Sequence, residues 1–258
     1  MLRNPFVLLT LPLLLTGCPR DPAGARIHYD LGIQASSEGR IQDAVKSLRE
    51  SVEKDPNFPD ARNALGLLYH VSLARPDLAE PEYQKALDLK PEYSEAANNY
   101  CALLLDLKRY GEAETLCRQA LANVLYPTPH LARGNLAMAM FHQGRVEDAI
   151  TELKAALITQ PKFCAGYRNL GNIYQEIDQA GAALGAYEKF AEHCPENATA
   201  QHLLGEARLR TGDVSGAKAA FERCSALADT GLSSNLGEQC RRSRAALESA
   251  GAAGLIGE

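Results

Sequence analysis

Residues 164–197 read CAGYRNLGNIYQEIDQAGAALGAYEKFAEHCPEN, and this stretch decides the fold of the chain. In its first half, Leu170, Gly171 and Tyr174 follow Tyr167 at distances of three, four and seven residues. Residues at these spacings share one face of an α-helix. The first half of the stretch therefore predicts an amphipathic helix.

The second half predicts another helix of the same kind. Ala183, Tyr187 and Phe190 repeat the spacing of an apolar helix face. Residues 178–181, DQAG, lie between the two patterns and are a turn signal, and Pro195 ends the second helix. The whole stretch thus predicts a helical hairpin of 34 residues.

The same unit recurs along the chain, and three series of positions keep one register. Small residues recur at the Gly171 position, with successive steps of 34, 35, 36, 34 and 34 residues through Gly32, Gly66, Cys101, Ala137, Gly171 and Gly205. The Ala183 position recurs at Ala44, Ala79, Ala113, Ala149 and Ala217, and the closing proline recurs at Pro56, Pro91, Pro127 and Pro161. We infer that small side chains are needed where the two helices of a hairpin approach closely.

The order of aromatic, Leu-Gly, Tyr, Ala, Phe and Pro in this unit resembles the tetratricopeptide repeat, or TPR. The resemblance implies an all-α fold, a right-handed α-solenoid of six TPR helical hairpins in which each hairpin buries its apolar face against its neighbours. We expect the hairpins at 25–58, 59–93, 94–129, 130–163, 164–197 and 198–231. A C-terminal capping helix and tail follow at 232–258, with the polar helix over 235–249.

Residues 1–17 have the composition of a signal peptide. Arg3 supplies positive charge, and residues 6–15 form an apolar segment that is broken by Pro12 and is too short to span a membrane. The LTGC that ends at Cys18 resembles the lipobox of bacterial lipoproteins. That resemblance implies cleavage before Cys18 and attachment of lipid to its sulfur and amine.

The lipobox defines the expected location. Two or more lipid chains make a stable membrane anchor, so residues 18–24 form a lipidated, polar tether and the protein faces the periplasm. Pro19, rather than Asp, follows the cysteine, which favours the bacterial outer membrane over the inner one. The alternative is an ordinary secretory signal with a chance cysteine.

Two joints are longer than the others. One extra residue falls near 74–77, and we expect Pro81 in the first turn of the following helix, where its missing N–H costs little. Two extra residues fall at 124–129, where the joint either bends the superhelix or forms a plain surface loop. In the first repeat we expect Leu31 and Leu48 at their usual packing positions.

Six cysteines follow Cys18, and each sequential pair is symmetric about a predicted turn. The pairs are Cys101–Cys117, Cys164–Cys194 and Cys224–Cys240, centred on residues 109, 179 and 232. Residues equidistant from a hairpin turn lie side by side, so these pairs can form disulfides in an oxidising periplasm. The alternative treats Cys101 and Cys117 as small core residues.

The sequence lacks the motifs of common enzymes. It has no GxSxG, HExxH, Walker or CxxC motif. The formal charge of −5 gives no reason to expect a nucleic-acid partner. We therefore expect no catalytic residue, metal or cofactor, and we place the histidines on helix surfaces: His28, His70, His130, His142, His193 and His202.

A protein-binding surface is the remaining candidate site. In TPR solenoids the first helix of each hairpin lines a concave groove, and here those helices carry Asn63, Asn98, Asn99, Arg133, Asn135, Arg168, Asn169 and Asn172. Asparagine can donate to and accept from the backbone of an extended peptide, and arginine can bind a carboxylate. Two alternatives stay open: the asparagines brace neighbouring helices, or a partner helix docks on exposed apolar residues.

A lipobox, a short tether and six TPR hairpins together resemble the pilotin lipoproteins of type IV pilus systems, the PilF/PilW/Tgl group. The resemblance implies an outer-membrane lipoprotein that binds secretin subunits and promotes their insertion and multimerisation, in support of pilus assembly and motility. We expect the protein to be monomeric. Two other classes stay open. One is a periplasmic TPR scaffold lipoprotein for envelope or cell-wall assembly, and the other is an enzyme-associated lipoprotein.

Overall fold

The computed structural model of the chain describes residues 20–229 and 234–252. The predicted signal peptide, Cys18 and the turn at 230–233 lie outside the described residues. All regular structure in the described ranges is helical, and they contain no strand. The chain divides after Leu89 into two compact units.

The first unit contains two helical hairpins. Its helices are α1 (Pro22–Ser37), α2 (Ile41–Lys54), α3 (Pro59–Leu67) and α4 (Pro76–Leu89), and a π-helical turn, Leu68–Ser72, follows α3. α1 packs against α2, and α3 packs against α4.

The second unit contains the remaining hairpins and a terminal helix. Its helices are α5 (Ser94–Asp106), α6 (Tyr110–Ala122), α7 (Pro129–His142), α8 (Val146–Thr159), α9 (Cys164–Glu176), α10 (Ala180–His193), α11 (Ala198–Arg210), α12 (Val214–Asp229) and α13 (Ser234–Ala252). Each helix packs against the next, and α5, α7 and α9 also contact one another in order. The predicted all-α solenoid class is confirmed. No helix among the described residues has the length and apolarity to cross a membrane.

The tight crossing inside each hairpin explains the register of small residues. A Cβ built on Gly171 would lie 2.4 Å from Cε1 of Tyr187, which is buried in the facing helix. The same contact joins Gly32 to Leu48, Gly66 to Tyr83 and Gly205 to Phe221, where a Cβ would come within 2.7 to 2.9 Å of the facing side chain. Real Cβ atoms do not approach so closely, so the large side chain fills the space that the glycine leaves.

The turn inside each hairpin uses one residue with positive φ. Glycine takes this position at Gly39, Gly144 and Gly212, whereas Ala74, Lys108 and Asp178 take it in the other hairpins. The prediction of a turn over 178–181 was too long, because Asp178 makes the left-handed step and Gly181 already lies in α10. Asp tolerates the left-handed region better than most residues.

The turn between hairpins also has one repeated geometry. The backbone N–H of its fourth residue donates to the carbonyl of its first, as Phe163 donates to Gln160 over 3.0 Å. The same bond joins Phe58 to Asp55, Tyr93 to Lys90, Tyr126 to Asn123 and Asn197 to Cys194. The hairpins therefore follow one another through equivalent four-residue turns.

The extra residue of the second hairpin lies earlier than predicted. It is absorbed by the π-helical turn after α3, in which the N–H of Leu73 donates to the carbonyl of Leu68. α4 consequently begins at Pro76, and Pro81 lies in the second turn of the helix rather than in its first. The prediction for Pro81 was wrong because the insertion was assigned to the turn instead of to the end of α3.

Two expectations for the first hairpin also need correction. Leu31 is half-exposed, while Leu48 is buried against Gly32. The tether predicted over 18–24 ends sooner, because Asp21 caps α1 by accepting from the N–H of Gly24 over 2.8 Å. The Lys54 ammonium also contacts the Asp21 carboxylate at 3.0 Å and holds this end of α1 to α2.

The structure brings each sequential cysteine pair within bonding distance. The Cα atoms are 5.5 Å apart for Cys101 and Cys117, 6.0 Å for Cys164 and Cys194, and 6.1 Å for Cys224 and Cys240. These separations lie in the range that a disulfide requires. The last pair packs with Ala217 and Phe221 and joins α12 to α13. Oxidation of the pairs stays a prediction.

We predict that Gly171→Ala lowers the free energy of unfolding by about 1–3 kcal/mol, because the new methyl overpacks against the buried ring of Tyr187. Gly185→Ala, in the facing helix, is the matched control. A Cβ there meets no atom within 4 Å, so this change should raise the free energy of unfolding by about 0.5–1 kcal/mol through helix propensity. Urea denaturation measures both, and equal effects of the two substitutions would contradict the crossing contact.

We predict that thiol titration of the denatured, unreduced protein finds none of the six cysteines after Cys18 free. Reduction should then lower the free energy of unfolding by about 3 kcal/mol per bridge in the loop-entropy picture. Six titratable thiols before reduction would rule out the bridges.

Candidate peptide-binding surface

An open depression of about 470 Å³ lies in the second unit. The start of α5, the turn before it, the joint between α6 and α7, and Leu131 of α7 line it. The depression contains two of the predicted groove residues, Asn98 and Asn99. Two of the eight predicted groove residues therefore line one open depression.

Asn98 is buried at the edge of this depression and is oriented by a third predicted residue. The Nδ2 of Asn135 donates to Oδ1 of Asn98 over 3.0 Å and links α5 to α7. The assignment of the amide atoms follows from this bond. Because this bond uses only Oδ1 of Asn98, the Nδ2 group of Asn98 can still donate a hydrogen bond. Asn98 thus braces two helices, as one interpretation of the asparagines requires, and its role in peptide binding stays a prediction.

Ser94 adds a polar group that the sequence analysis missed. The residue is only 6% exposed, and its Oγ forms no hydrogen bond with any described residue. A buried hydroxyl without a partner costs about 1–3 kcal/mol. Ser94 lines the depression one helical turn before Asn98, and its Oγ is buried there.

Aromatic residues form the walls beside these polar groups. Tyr126 is buried, and burial raises the pKa of its hydroxyl above the ordinary value, so the group stays neutral at physiological pH. The Lys90 ammonium lies 4.8 Å from the centroid of the Tyr93 ring, a cation–π distance. Charge at the depression is mixed, because Glu92 and Glu95 also line it.

The lengthened joint between α6 and α7 forms the rim. Val124 and Leu125 occupy the two middle positions of the four-residue turn and are 94% and 84% exposed. The two extra residues, Pro127 and Thr128, come after the turn and precede α7. The segment is a surface loop with an exposed apolar tip, and a bend of the superhelix at this joint stays a prediction.

The other predicted groove residues do not join this depression. Arg133 pairs with Glu152 of α8 at 2.6 Å, and the Tyr187 hydroxyl donates to Oδ1 of Asn172 over 2.8 Å. On α9, Arg168 is exposed and Asn169 is half-buried. Asn63 is buried in α3 of the first unit, where it has a partner of its own.

Ser94 and Tyr126 were not predicted as site residues, for different reasons. A serine at the first position of a helix is common, and only the tertiary structure shows that its Oγ has no partner. Tyr126 did carry a signal, because an aromatic ends three of the other four-residue turns, at Phe58, Tyr93 and Phe163.

The histidines pack on aromatic rings more than the sequence analysis predicted. The ring centroids of Tyr110 and His142 are 4.6 Å apart, and those of Tyr167 and His193 are 5.2 Å apart. His202 is buried, so its predicted surface position was wrong. Within 20–229 and 234–252, no group of three His, Cys, Asp or Glu side chains is placed to hold a metal ion.

The tetratricopeptide repeat family profile matches residues 29–91, 68–128, 103–162 and 168–228. The chain belongs to the tetratricopeptide repeat family. The matched segments cover most of the TPR hairpins that the structure describes.

The relatives of this TPR protein include pilus assembly proteins. It is homologous to the type IV pilus assembly protein PilF of Pseudomonas aeruginosa, with 29% identity over 181 residues, 69% of this chain and 70% of PilF. Its fold matches the crystal structure of PilW, a type IV pilus biogenesis factor, with a TM-score of 0.72 and 24% identity over 81% of this chain and 96% of PilW.

Some other relatives are named as transferases. The probable N-acetylglucosaminyltransferase SPINDLY of Hordeum vulgare is 26% identical over 193 residues, which are 75% of this chain. Those residues make up only 17% of SPINDLY. The absence of an enzymatic activity in this TPR protein stays a prediction.

We predict that Ser94→Ala raises the free energy of unfolding by about 1–3 kcal/mol, because it removes a buried hydroxyl that has no partner. Ser51→Ala is the matched control. Ser51 is buried too, but its Oγ donates to the carbonyl of Ala25 over 2.7 Å, so this change should lower the free energy by about 1 kcal/mol. Urea denaturation gives both signs, and a loss of stability in Ser94→Ala would show that the hydroxyl is satisfied.

Proposed function

We propose that this TPR protein is a pilotin, a lipoprotein of the outer membrane that faces the periplasm. It binds secretin subunits and promotes their insertion and multimerisation for type IV pilus assembly. The observation that carries this proposal is the homology to PilF, which extends over 70% of that protein.

The likeness to PilW supports the same proposal at the level of the fold. The match covers 96% of PilW, so the hairpins of the two proteins correspond along nearly the whole of PilW. A shared array of hairpins supplies the same kind of extended binding surface.

The depression beside α5 supports binding of a protein segment rather than a small charged ligand. The Nδ2 group of Asn98 offers a hydrogen bond to a peptide backbone, while Tyr126 and the exposed Leu125 offer apolar contact. The charges at the depression have both signs. We propose that an extended segment of the secretin lies here.

The anchor completes the proposed role. We propose that lipid on Cys18 holds the protein at the outer membrane, where secretin subunits insert. Only residues 19–21 then separate the lipidated cysteine from α1, because Asp21 caps that helix. A tether of this length keeps the first hairpin close to the membrane surface.

We predict that deletion of the gene abolishes secretin multimers in the outer membrane and removes surface pili. Immunoblots of membrane fractions and electron microscopy measure these results. The unsubstituted gene should restore both.

Cys18→Ala should fold with unchanged thermal unfolding, lose its fatty-acid label and fail to restore the multimers. Normal multimers with the soluble variant would make the anchor dispensable, and intact multimers with envelope defects in the deletion strain would favour a scaffold role instead.

The deletion strain can also be used to test the depression beside α5 as the secretin-binding site. The double change Asn98→Leu and Asn135→Leu should weaken co-purification of the secretin, because the polar pair at the depression is lost. Asn57→Leu is the matched control, since Asn57 is exposed in the turn between α2 and α3. Equal co-purification with both variants would place the secretin on another face.

A further inference from the structure

A second groove, which is apolar, lies on α8, α9 and α10. It is separate from the depression beside α5. It has a volume of about 550 Å³, within the range of binding pockets. Leu157, Leu170 and Ala186 form part of its lining, and Ile158 stands at its edge with 80% of its surface exposed. An exposed aliphatic side chain beside an apolar groove is typical of a binding surface, where a partner removes the side chain from water.

The interior of the groove has room for another chain. Gly185 of α10 lines it, and a Cβ built there would meet no atom within 4 Å. The close crossing that needs Gly171 therefore does not account for Gly185. A glycine inside a helix without such a contact lowers helix propensity and leaves space at the surface.

Both charged side chains that line the groove are basic. Lys154 and Lys189 line it, and the described residues that line it include no carboxylate. Neither lysine forms an ion pair with a described residue, and the Lys154 ammonium lies 6.0 Å from the centroid of the Tyr174 ring. The groove is therefore complementary to a partner that is apolar in the middle and acidic at its sides.

The lining favours a helical partner over an extended one. All of its residues come from α8, α9 and α10, whose backbone groups bond within their own helices. An extended peptide would bury backbone N–H and C=O groups here without partners, which is costly. A helix satisfies its own backbone and presents only side chains.

We propose that this groove, formed by α8, α9 and α10, binds an amphipathic helix of a partner protein whose apolar face is flanked by Asp or Glu. Ile158 and Leu157 contact the apolar face of the bound helix. Lys154 and Lys189 pair with its carboxylates. This site is distinct from the depression beside α5, and it does not depend on the identity of the secretin as a partner.

The test uses a fluorescein-labelled, stapled helical peptide with Leu at i, i+3, i+4 and i+7 and Glu along both flanks of that face. Fluorescence anisotropy with the purified protein should show saturable binding. A second peptide with Lys in place of each Glu should bind at least about tenfold more weakly, since it meets two lysines. Absence of binding, or equal binding of the two peptides, would overturn the proposal.

Two substitutions locate the binding. Ile158→Asp should weaken binding of the acidic peptide by about tenfold or more, and Gly185→Leu should do the same by filling the groove while the melting temperature is retained. Ile27→Asp in α1 is the matched control, because Ile27 is also exposed and lies in the first unit. Unchanged affinity in Ile158→Asp and Gly185→Leu would show that the peptide binds elsewhere and would contradict the proposal.

Discussion

A small residue facing a large one where two helices cross is the contact on which this structure depends. In four hairpins the small residue is glycine, and the facing side chain is a leucine, a tyrosine or a phenylalanine. The contact lets the backbones approach and buries the large side chain completely, as for Tyr187 and Phe221. Apolar surface is buried at these crossings and between neighbouring hairpins, and the remaining faces are open to partners.

Three kinds of residue pair fill the crossing: glycine with a large side chain, cysteine with cysteine, and alanine with leucine. Cys101 takes the glycine position of the third hairpin, and Cys117 takes the position of the large side chain, so their sulfurs meet where a ring packs elsewhere. In the fourth hairpin Ala137 and Leu153 hold the same two positions, and both are buried. The crossing therefore restricts the volume that the two residues share more than it restricts their chemistry.

The helices and their register were predictable because each hairpin repeats a local pattern, and local patterns determine helices. The site was less predictable. The bond between Asn98 and Asn135 joins residues 37 positions apart, and the unpaired hydroxyl of Ser94 depends on what surrounds it. The turn at Asp178 was misjudged because Gly181 is the better turn former in the sequence, yet a non-glycine residue makes the left-handed step.

The turn that joins successive hairpins has the same closing hydrogen bond wherever it occurs. Its consequence is modularity of the backbone: a hairpin can be gained or lost without a new kind of turn on either side. The joint before α7 shows the tolerance of this arrangement, since Pro127 and Thr128 are added without loss of the bond between Tyr126 and Asn123. Evolution can thus vary the number of hairpins independently of the residues that any one of them presents to a ligand.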